Sequence, residues 1–448
     1  MSPKRPKVGS HSTSSLRVLL TNNTLDYRAG SELYIYDVAV ELQKRGHQPI
    51  AFSTMLGPVA ERLRAATVPV VDDLARITTP PDIIHGQHHF ETLLAVLSFP
   101  QAPAINFCHG WMPMEEQPLI FPRVMRYVAV DHTCRDRLQV EHGITAERIS
   151  LILNFVDTER FRLRSPLPSL PKRALAFGNY FGADAMLPIL RTACEKAGLQ
   201  LDVAGISSNQ EWAEPEARLG QYDVVFAKGR AALEAMAVGA AVVLCGPRGL
   251  GPLVTPEEWE SLRLLNFGVR AHTQPVTMEN VLAQLQRYNP SASAAVSARV
   301  RAEATLPQAV DQLLRVYQDA IREFSVSPDL PSGEVAAARY LWERSAVFKG
   351  RMTSGDIRAD QAETRACAAE MRANEADSRT RQIEEREASL AQQLAIMRDS
   401  MGWRFAQFAS QSLPVRLAHP LLRKVAGWIR SRSRNQSQPV TPQDHVGR

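Results

Sequence analysis

The feature that most constrains the fold is an alternation of short apolar runs with helical patterns, which occurs in two series along the chain. The first series contains the strand-like runs LRVLL, QPIAFST, PDIIHGQ, APAINFCHG and RYVAVD, with SELYIYDVAVELQKRG as its first helix. The second contains RALAFGNY, LQLDVAG, YDVVFA and AAVVLCG, each followed by a helical pattern. Strands separated by helices of this length pair in parallel through right-handed crossovers. The sequence therefore predicts an α/β protein with two doubly wound, Rossmann-like domains in tandem.

A proline-rich stretch, SPLPSLPKR, separates the two series, and the 448 residues exceed what one ordinary core holds. Further changes of composition mark the end of the second series and the start of a basic tail. The predicted order is a disordered lead-in at 1–15, an N-terminal domain on the acceptor side at 16–165, a C-terminal donor-side domain at 170–325, a linker at 326–356, a helical extension at 357–401, a basic amphipathic tail at 402–434 and a disordered end at 435–448.

The five cysteines are scattered and form no CxxC pair, which argues against a disulfide framework or a zinc site and for a reducing compartment. The start of the chain lacks the apolar region of a signal peptide, and the longest apolar stretch falls far short of the ~20 residues of a spanning helix. His85, His88 and His89 fit no common zinc spacing, and we interpret them as loop and helix-start residues. These features predict a cytoplasmic protein without a metal site.

Basic charge is concentrated near the end of the chain. The net charge is +5, whereas the segment from Met401 to Arg434 contains seven cations and no acid, which leaves −2 for the rest. Trp403 and Trp428 lie among these cations, a composition typical of a helix in an anionic membrane interface. Docking of this face on the protein body is the alternative. Because the body is not basic, nucleic acid is not an expected partner.

Residues 357–401 place apolar side chains at the a and d positions of a heptad repeat, and most of them are alanine. Alanine makes a thin helix–helix seam. The segment therefore fits two interpretations, a coiled coil that forms a weak homo-oligomer or a solvated single helix that packs on its own domain.

Ligands of doubly wound sheets bind beyond the carboxyl ends of the strands, so the residues after each strand are the first site candidates. Gly30 lies in the turn after the first strand, with Arg28 before it and Ser31 as the expected N-cap. A glycine there lets backbone N–H groups approach an anion closely. His109 directly follows the strand of APAINFCHG, where a structural role and a ligand-binding role are equally plausible.

The second series supplies the run KGRAALEAMAVG after the strand YDVVFA. Lys228, Gly229 and Arg230 form the turn, so two cations and a helix N-terminus would face a phosphate together. Glu234 lies one helical turn deeper. There it either accepts hydrogen bonds from sugar hydroxyls or pairs with Arg230 as an i,i+4 neighbour.

Two glycine-containing stretches complete the candidates. Gly249 and Gly251 are expected in a flexible loop before a helix that starts around Thr255, as a second anion-binding turn. Gly178 and Asn179 follow the first strand of the second series, and this position makes them candidate ligand-binding residues.

Taken in order, these motifs resemble glycosyltransferase family 4, retaining sugar-nucleotide enzymes of the GT-B fold. The resemblance covers roughly residues 16–325. Its elements are Gly30-Ser31-Glu32 followed by ELQKRGHQPIAF, the histidine-bearing segments DIIHGQHHF and INFCHG, the segment RISLILNFVDTERF with Asn154, Asp157 and Phe161, and LEAMAVGAAVV.

The resemblance implies transfer of a hexosyl unit from a nucleoside diphosphate sugar to a glycan or lipid-linked acceptor, with no metal and no cofactor besides that co-substrate. It implies catalytic-site roles for Glu234, which binds the ribose, and for His109, which lies beside the transferred sugar. The leaving phosphate helps to deprotonate the acceptor, so no protein nucleophile is required. The expected nucleotide-sugar-binding residues are Arg28, Gly30, Gly178, Asn179, Lys228, Gly229, Arg230, Gly249 and Gly251.

Two positions depart from the family pattern. The glutamate usual eight residues before Glu234 is Phe226 here, and the arginine and lysine usual after the first strand of the second domain are absent from FGNYFGADAM. We expect Lys228 and Arg230 to take over the pyrophosphate, because a desolvated diphosphate without a cationic partner is costly. Two other interpretations stay open: a catalytically degenerate scaffold at the membrane, and a GT-B sugar-nucleotide epimerase.

Overall fold

The structure, a computed structural model, describes most of the chain up to residue 350 and parts of the remainder. The described residues are 15–111, 114–182, 186–327, 330–346, 349–350, 379–380, 382–393 and 395–396, with single positions at 402, 404, 407, 423 and 424. The chain divides into two compact units, one ending at Glu343 and one beginning at Arg344. Each is described by itself below.

The first sheet has seven strands, all parallel, in the spatial order β3-β2-β1-β4-β5-β6-β7. Its central strands β1, β4 and β5 are buried along almost their whole length, as expected for a sheet covered on both faces. The strands are β1 Arg17–Thr21, β2 Gln48–Phe52, β3 Val70–Val71, β4 Ile83–Gln87, β5 Ala104–Cys108, β6 Val124–Ala129 and β7 Ile149–Leu151. The helices between them are α1 Gly30–Lys44, α2 Pro58–Ala65, α3 His89–Ser98 and α4 His132–Asp136.

The second sheet has five strands in the order β12-β11-β10-β8-β9, of which β12 alone is antiparallel to its neighbour. The strands are β8 Arg173–Phe177, β9 Gln200–Ala204, β10 Val224–Ala227, β11 Ala241–Gly246 and β12 Gly249–Leu253. The helices of this half are α5 Met186–Lys196, α6 Gly229–Ala237, α7 Trp259–Leu264, α8 Met278–Leu285 and α9 Pro290–Glu303.

Helix α10, Leu306–Ser325, returns from the second sheet to the first. Thr305 caps it by accepting a hydrogen bond from the Gln308 N–H at 3.4 Å, and Pro307 fits its first turn, which needs no N–H donor. Its apolar residues recur at helical spacing and are buried in the core of the first domain. These residues are Leu306, Ala309, Val310, Leu313, Val316, Tyr317 and Ala320. The predicted domain division, which runs in chain order, does not anticipate this return, and the predicted boundaries stay predictions.

The predicted fold class is confirmed: two doubly wound, Rossmann-like α/β domains follow one another. One local expectation is wrong. The stretch from Gly246 to Gly251 is not a flexible loop, because Gly249–Leu253 pairs with β11 as β12, and the next helix begins at Trp259 instead of near Thr255. Two short strands, β3 and β7, were not predicted either.

Several sequence predictions fall on segments that lie largely outside the described residues. Residues 333–346 are helical within the predicted linker, and 382–393 are helical and exposed within the predicted extension. The lead-in up to residue 14, the basic tail except for single positions, and the end at 435–448 lie outside the described residues. Within the part of the chain that was searched, no helix combines the length and hydropathy needed to span a bilayer.

Candidate active site

The carboxyl end of β5 places His109 at the edge of the first sheet. Its ring stacks on Phe107 with centroids 5.4 Å apart and meets the edge of Tyr34 at 4.9 Å. Burial lowers the pKa of His109 to about 4, so the imidazole is neutral at physiological pH. Its Nε2 is buried and has no hydrogen-bond partner in the structure. A fixed, neutral imidazole with one free nitrogen is suited to a sugar hydroxyl.

Glu116 contacts both His109 and His88 at this edge. Sequence reasoning did not identify it. Its Oε2 accepts the backbone N–H of His109 at 2.8 Å, and its Oε1 lies 3.5 Å from the Nε2 of His88. Burial alone would raise the pKa of Glu116, but His88 and His109 outweigh it and lower that pKa. Glu116 ends a short 3-10 turn that follows no strand, so rules based on strand ends do not reach it.

The three clustered histidines have different structural positions. His85 lies inside β4, which corrects its interpretation as a loop residue, and its Nδ1 is 2.5 Å from the Tyr317 hydroxyl. His88 is the N-cap of α3 and His89 its first residue, as predicted for helix-start residues, and His89 bonds to the Tyr340 hydroxyl. Among the described residues, no group of three or more histidine, cysteine or acidic residues could hold a metal ion.

An ion-pair cluster joins the two domains at the start of α6. Arg230 pairs with Asp37 of α1, and its Nε lies 3.0 Å from Glu234 Oε1. Arg160 contributes a second pair to Asp37 at 2.9 Å. The three side chains centred on Arg230 are nearly buried, with 12% of Arg230, 1% of Asp37 and 7% of Glu234 exposed. Burial alone would lower the pKa of Arg230, but the charges of Asp37 and Glu234 raise it above its usual value.

The i,i+4 pairing that the sequence left open is therefore the geometry of Glu234 in this structure. Arg230 is held between two carboxylates, and its charge acts on His109, whose pKa it helps to lower. The structure thus brings together His109 of the first domain and the Arg230–Glu234 pair of the second. Whether these residues contact a substrate stays a prediction.

Lys228 has a different environment from Arg230, although only Gly229 separates them. Its Nζ lies 5.0 Å from the centroid of the Tyr180 ring, and it forms no ion pair with any residue that the structure describes. Burial lowers the pKa of Lys228, with no carboxylate to offset the effect. Such a cation is costly to desolvate alone and favours an anionic ligand.

His272 lies beside Lys228 and was also missed by sequence reasoning. Both of its ring nitrogens are buried, and neither has a hydrogen-bond partner among the residues that the structure describes. Burial and the charge of Lys228 lower its pKa to about 4. The backbone pairing of Leu250 with Gln274, at 2.7 and 3.0 Å, brings the His272 segment to this edge. Because β12 was predicted as a loop, no sequence pattern indicated this placement.

Gly229 begins α6 with a left-handed φ of +58°, a conformation that favours glycine, and its N–H bonds to Phe267 O at 3.0 Å. The N-cap is Lys228, whose side chain makes no capping bond. The helix therefore starts without a carboxylate or hydroxyl cap, directly beside the unpaired ammonium. The positive end of the α6 dipole and this ammonium act in the same direction.

Three further predicted site residues, Gly30, Arg28 and Asn179, are exposed or half-buried. Gly30 is exposed, and a Cβ added there would meet nothing within 4 Å. Helix α1 starts at Gly30 after the N-cap Ala29, so Ser31 is not the N-cap. Arg28 is half-buried and has no ion-pair partner within the described part of the chain. Asn179 is exposed and its Oδ1 accepts the Ile206 N–H at 3.3 Å.

The other glycines are explained by close backbone packing. A Cβ at Gly249 would lie 2.4 Å from Gln274 O, and one at Gly251 would lie 2.6 Å from Ala271 O. Gly178 carries no space for a Cβ either, because Tyr180 Cε1 would be 2.6 Å away. These contacts account for the glycines without a ligand, and their binding role stays a prediction.

Phe226 occupies the position where the family pattern has a glutamate. It lies inside β10, fully buried in the second core beside Ala176 and Val243.

Comparison with known proteins agrees with this architecture. The sequence model described as Glycosyltransferase Family 4 matches residues 28–160. A glycosyltransferase from Rickettsia africae ESF-5 is 14% identical, with 69% of this chain and 99% of that chain covered and a TM-score of 0.51. HepE from Anabaena, solved with UDP and glucose, is 12% identical over 68% of this chain and 100% of its own, with a TM-score of 0.49. A putative UDP-N-acetylglucosamine 2-epimerase from Listeria monocytogenes is 14% identical over 71% and 99%, with a TM-score of 0.43. None of the curated proteins matches the chain.

Two Rossmann-like domains, a final helix returned to the first domain and the likeness to the Rickettsia protein define a GT-B glycosyltransferase fold. Within that class, the resemblance to glycosyltransferase family 4 is confirmed over residues 28–160.

Proposed function

We propose that this protein is a glycosyltransferase that moves a sugar from a nucleoside diphosphate sugar to a glycan or lipid-linked acceptor, in the synthesis of a surface polysaccharide or glycolipid. The reaction proceeds with retention and without a metal ion. The observation that carries the proposal is the unpaired, desolvated Lys228 at the uncapped start of α6. This is the environment that a diphosphate completes.

The proposed donor site follows the carboxyl edge of the second sheet. Lys228 Nζ and the N–H groups that follow Gly229 in the first turn of α6 bind the diphosphate, and the exposed Gly30 lets the first turn of α1 approach it from the other domain. Arg28 adds a cation near that turn. Arg230 is already paired with Asp37 and Glu234, so we assign it a structural role between the two domains, with Lys228 as the principal phosphate cation.

The transferred sugar lies beside the neutral His109, and Glu234 accepts a hydrogen bond from the ribose. In the proposed step the bond between the sugar's anomeric carbon and the phosphate oxygen breaks. The acceptor oxygen bonds to that carbon on the same face, and the acceptor's proton goes to the leaving phosphate. Fixed positive charge at Lys228 stabilises the diphosphate as its negative charge develops.

Thermal shift with UDP-, GDP-, ADP- and dTDP-sugars, each in EDTA, tests the donor site. We expect one donor class to raise the melting temperature of the wild type and of Lys172→Met, an exposed lysine before β8. The same donor should leave the melting temperature of Lys228→Met unchanged. A full shift with Lys228→Met would remove this residue from the site, and no shift with any donor would contradict the proposed function.

A second candidate is a degenerate GT-B protein that binds a nucleotide sugar as a scaffold. The buried Phe226 favours it, because the position lacks the carboxylate that the family places on the donor sugar. Transfer of labelled sugar to a membrane extract would exclude the scaffold. Binding without transfer would support it, and conversion of the donor alone would indicate an epimerase.

We also propose that the tail at 402–434 holds the protein at the inner face of the cell membrane, where a lipid-linked acceptor lies. Its seven cations without an acid, interleaved with tryptophan and leucine, support this location. Flotation with anionic and with neutral liposomes tests it. Binding to neither kind of vesicle would contradict the membrane role.

A further inference from the structure

His272 is a half-buried residue whose two ring nitrogens are buried and have no hydrogen-bond partner among the described residues. Buried polar groups are nearly always bonded, because an unsatisfied one costs free energy with nothing in return. The nitrogens of His272 are also not needed to hold its own segment. That segment is fixed by backbone bonds between Leu250 and Gln274. The histidine is therefore better explained by something that binds to it than by the fold.

The position of His272 identifies its neighbour. A Cβ added at Gly246 would lie 2.8 Å from Lys228 Cδ and 2.9 Å from His272 Cε1. Both side chains thus lie against the same glycine, at the end of β11. An ammonium without a carboxylate and an imidazole without a partner face one small region of the donor-side edge.

We propose that His272 is a second ligand of the donor's diphosphate, donating a ring N–H to a phosphate oxygen that Lys228 also contacts. The proposal rests on the proposed function, since it assigns a further group to the same donor site. It predicts that binding is coupled to protonation of one imidazole.

The charges around His272 define that coupling. Lys228, at the start of α6, lowers the pKa of His272, whereas β11 and β12 face it with Gly246 and Gly249. The centroid of the Tyr180 ring lies 5.0 Å from Lys228 Nζ, and Arg248 in the β11–β12 turn is exposed. On the histidine's own turn, Arg270 pairs with Asp136 at 2.6 Å. A bound diphosphate adds the opposite charge, which raises the pKa of His272 from about 4, so binding takes up a proton at pH 5.5.

Calorimetry at pH 5.5, in two buffers of different ionisation enthalpy, measures this proton uptake with UDP-, GDP-, ADP- and dTDP-glucose as probes. We expect uptake by the wild type and none by His272→Leu, which should bind about 10- to 100-fold more weakly. The melting temperature of ligand-free His272→Leu should equal or exceed that of the wild type, because leucine leaves no polar atom unsatisfied. His272→Gln keeps an N–H donor and should retain more affinity than leucine, without proton uptake.

His47→Gln is the matched control, because His47 is a buried histidine at the amino end of β2 that accepts the Leu16 N–H at 3.2 Å. It should bind and take up protons as the wild type does. If His272→Leu binds with unchanged affinity and unchanged uptake, the role of His272 is overturned while the proposed function stands. If the wild type binds none of the four donors, the proposed function falls first and the assignment of His272 falls with it.

Discussion

The carboxyl edges of the two sheets treat their charged groups in opposite ways. In the first domain, Glu116 contacts His88, and Asp37 is held by Arg160 and Arg230. In the second domain, the partly buried Lys228 has no carboxylate within ion-pair distance among the described residues, and both ring nitrogens of the His272 beside it lack a hydrogen-bond partner there. The charged groups named at the first edge are therefore paired within the protein, whereas the ammonium of Lys228 at the second edge is not.

This difference distinguishes residues with a structural role from residues that we expect to bind a ligand. A buried charge with its partners in place stabilises the folded state only as long as both partners remain. A buried charge without a partner destabilises the free protein, and a ligand that neutralises it stabilises the complex by mass action. Arg230 and Lys228, two residues apart, are expected to fall on opposite sides of this division.

Arg230→Ala should give the largest effect on stability. The substitution leaves Asp37 and Glu234 buried without their shared cation, and we expect a loss of about 3–5 kcal/mol in the free energy of unfolding. Urea unfolding measures it. Arg270→Ala is the matched control, because Arg270 also bridges the two domains but pairs with Asp136 where both side chains are over a third exposed. Its removal should cost about 0–1 kcal/mol. An equal loss of unfolding free energy in the two variants would contradict a special structural role for Arg230.

Gly246→Ala should mainly affect ligand binding. The new methyl group would displace Lys228 and His272, whose atoms lie 2.8 and 2.9 Å from its position. We expect donor affinity to fall about 30-fold, or ~2 kcal/mol. Calorimetric titration with the donor measures this.

The control for this substitution is Gly220→Ala, where the nearest atom to the added methyl is Arg164 Cβ at an ordinary 3.5 Å. It should leave donor affinity unchanged. Unchanged affinity in Gly246→Ala would show that the Lys228 side of the site does not contact the donor.

Most of the fold could be predicted because it depends on local signals. The strands of both series and the helix α1 follow from apolar runs and periodicity, and LEAMAVGAAVV placed Glu234 on α6 correctly. Strand β12 escaped because its residues, GLGPL, contain two glycines and a proline, which are typical of a loop. It is a strand because it pairs with β11 in antiparallel orientation, and residues 271–274, about 20 residues further along the chain, pack on its glycines.

The site was predicted less completely for the same reason. Positions directly after a strand, such as His109 and Lys228, could be located from the sequence. Glu116 and His272 could not, since each reaches the edge from a turn that the pairing of other segments holds in place. The ion pairs of Arg230 were predicted only in part. Pairing with Glu234 was one of two interpretations, whereas Asp37 was not considered because it lies 193 positions away in the sequence.

Gly30→Ala tests whether the first domain also contacts the donor. A Cβ at Gly30 meets no protein atom within 4 Å, so stability should stay within about 0.5 kcal/mol of the wild type. If a phosphate approaches the start of α1 closely, the same methyl group should weaken donor binding about tenfold. Paired measurements of melting temperature and donor affinity decide this. A variant with unaltered affinity would leave the donor to the second domain alone.

The smallest effect expected is on the pH dependence of stability, and it compares one histidine from each domain. His109 and His272 both have a pKa of about 4 in the folded protein, against 6.5 for an ordinary imidazole. Below pH 6.5 the unfolded chain binds protons that the folded protein does not, so the free energy of unfolding falls as the pH falls from 6.5 towards 4. Each histidine should account for a loss of about 1 kcal/mol between pH 7 and 5.5.

Urea unfolding of His109→Leu and of His272→Leu at these two pH values measures the contributions separately. Each variant should lack the pH-dependent loss of free energy of unfolding that its own histidine causes. Saturating donor sharpens the test, because an anion beside His272 raises its pKa and should abolish its contribution in the wild type. The contribution of His109, which faces a neutral sugar in the proposed complex, should persist in the presence of the donor. If the donor abolishes the loss associated with His109 and spares that of His272, the diphosphate lies on the first domain and the contrast between the two edges is reversed.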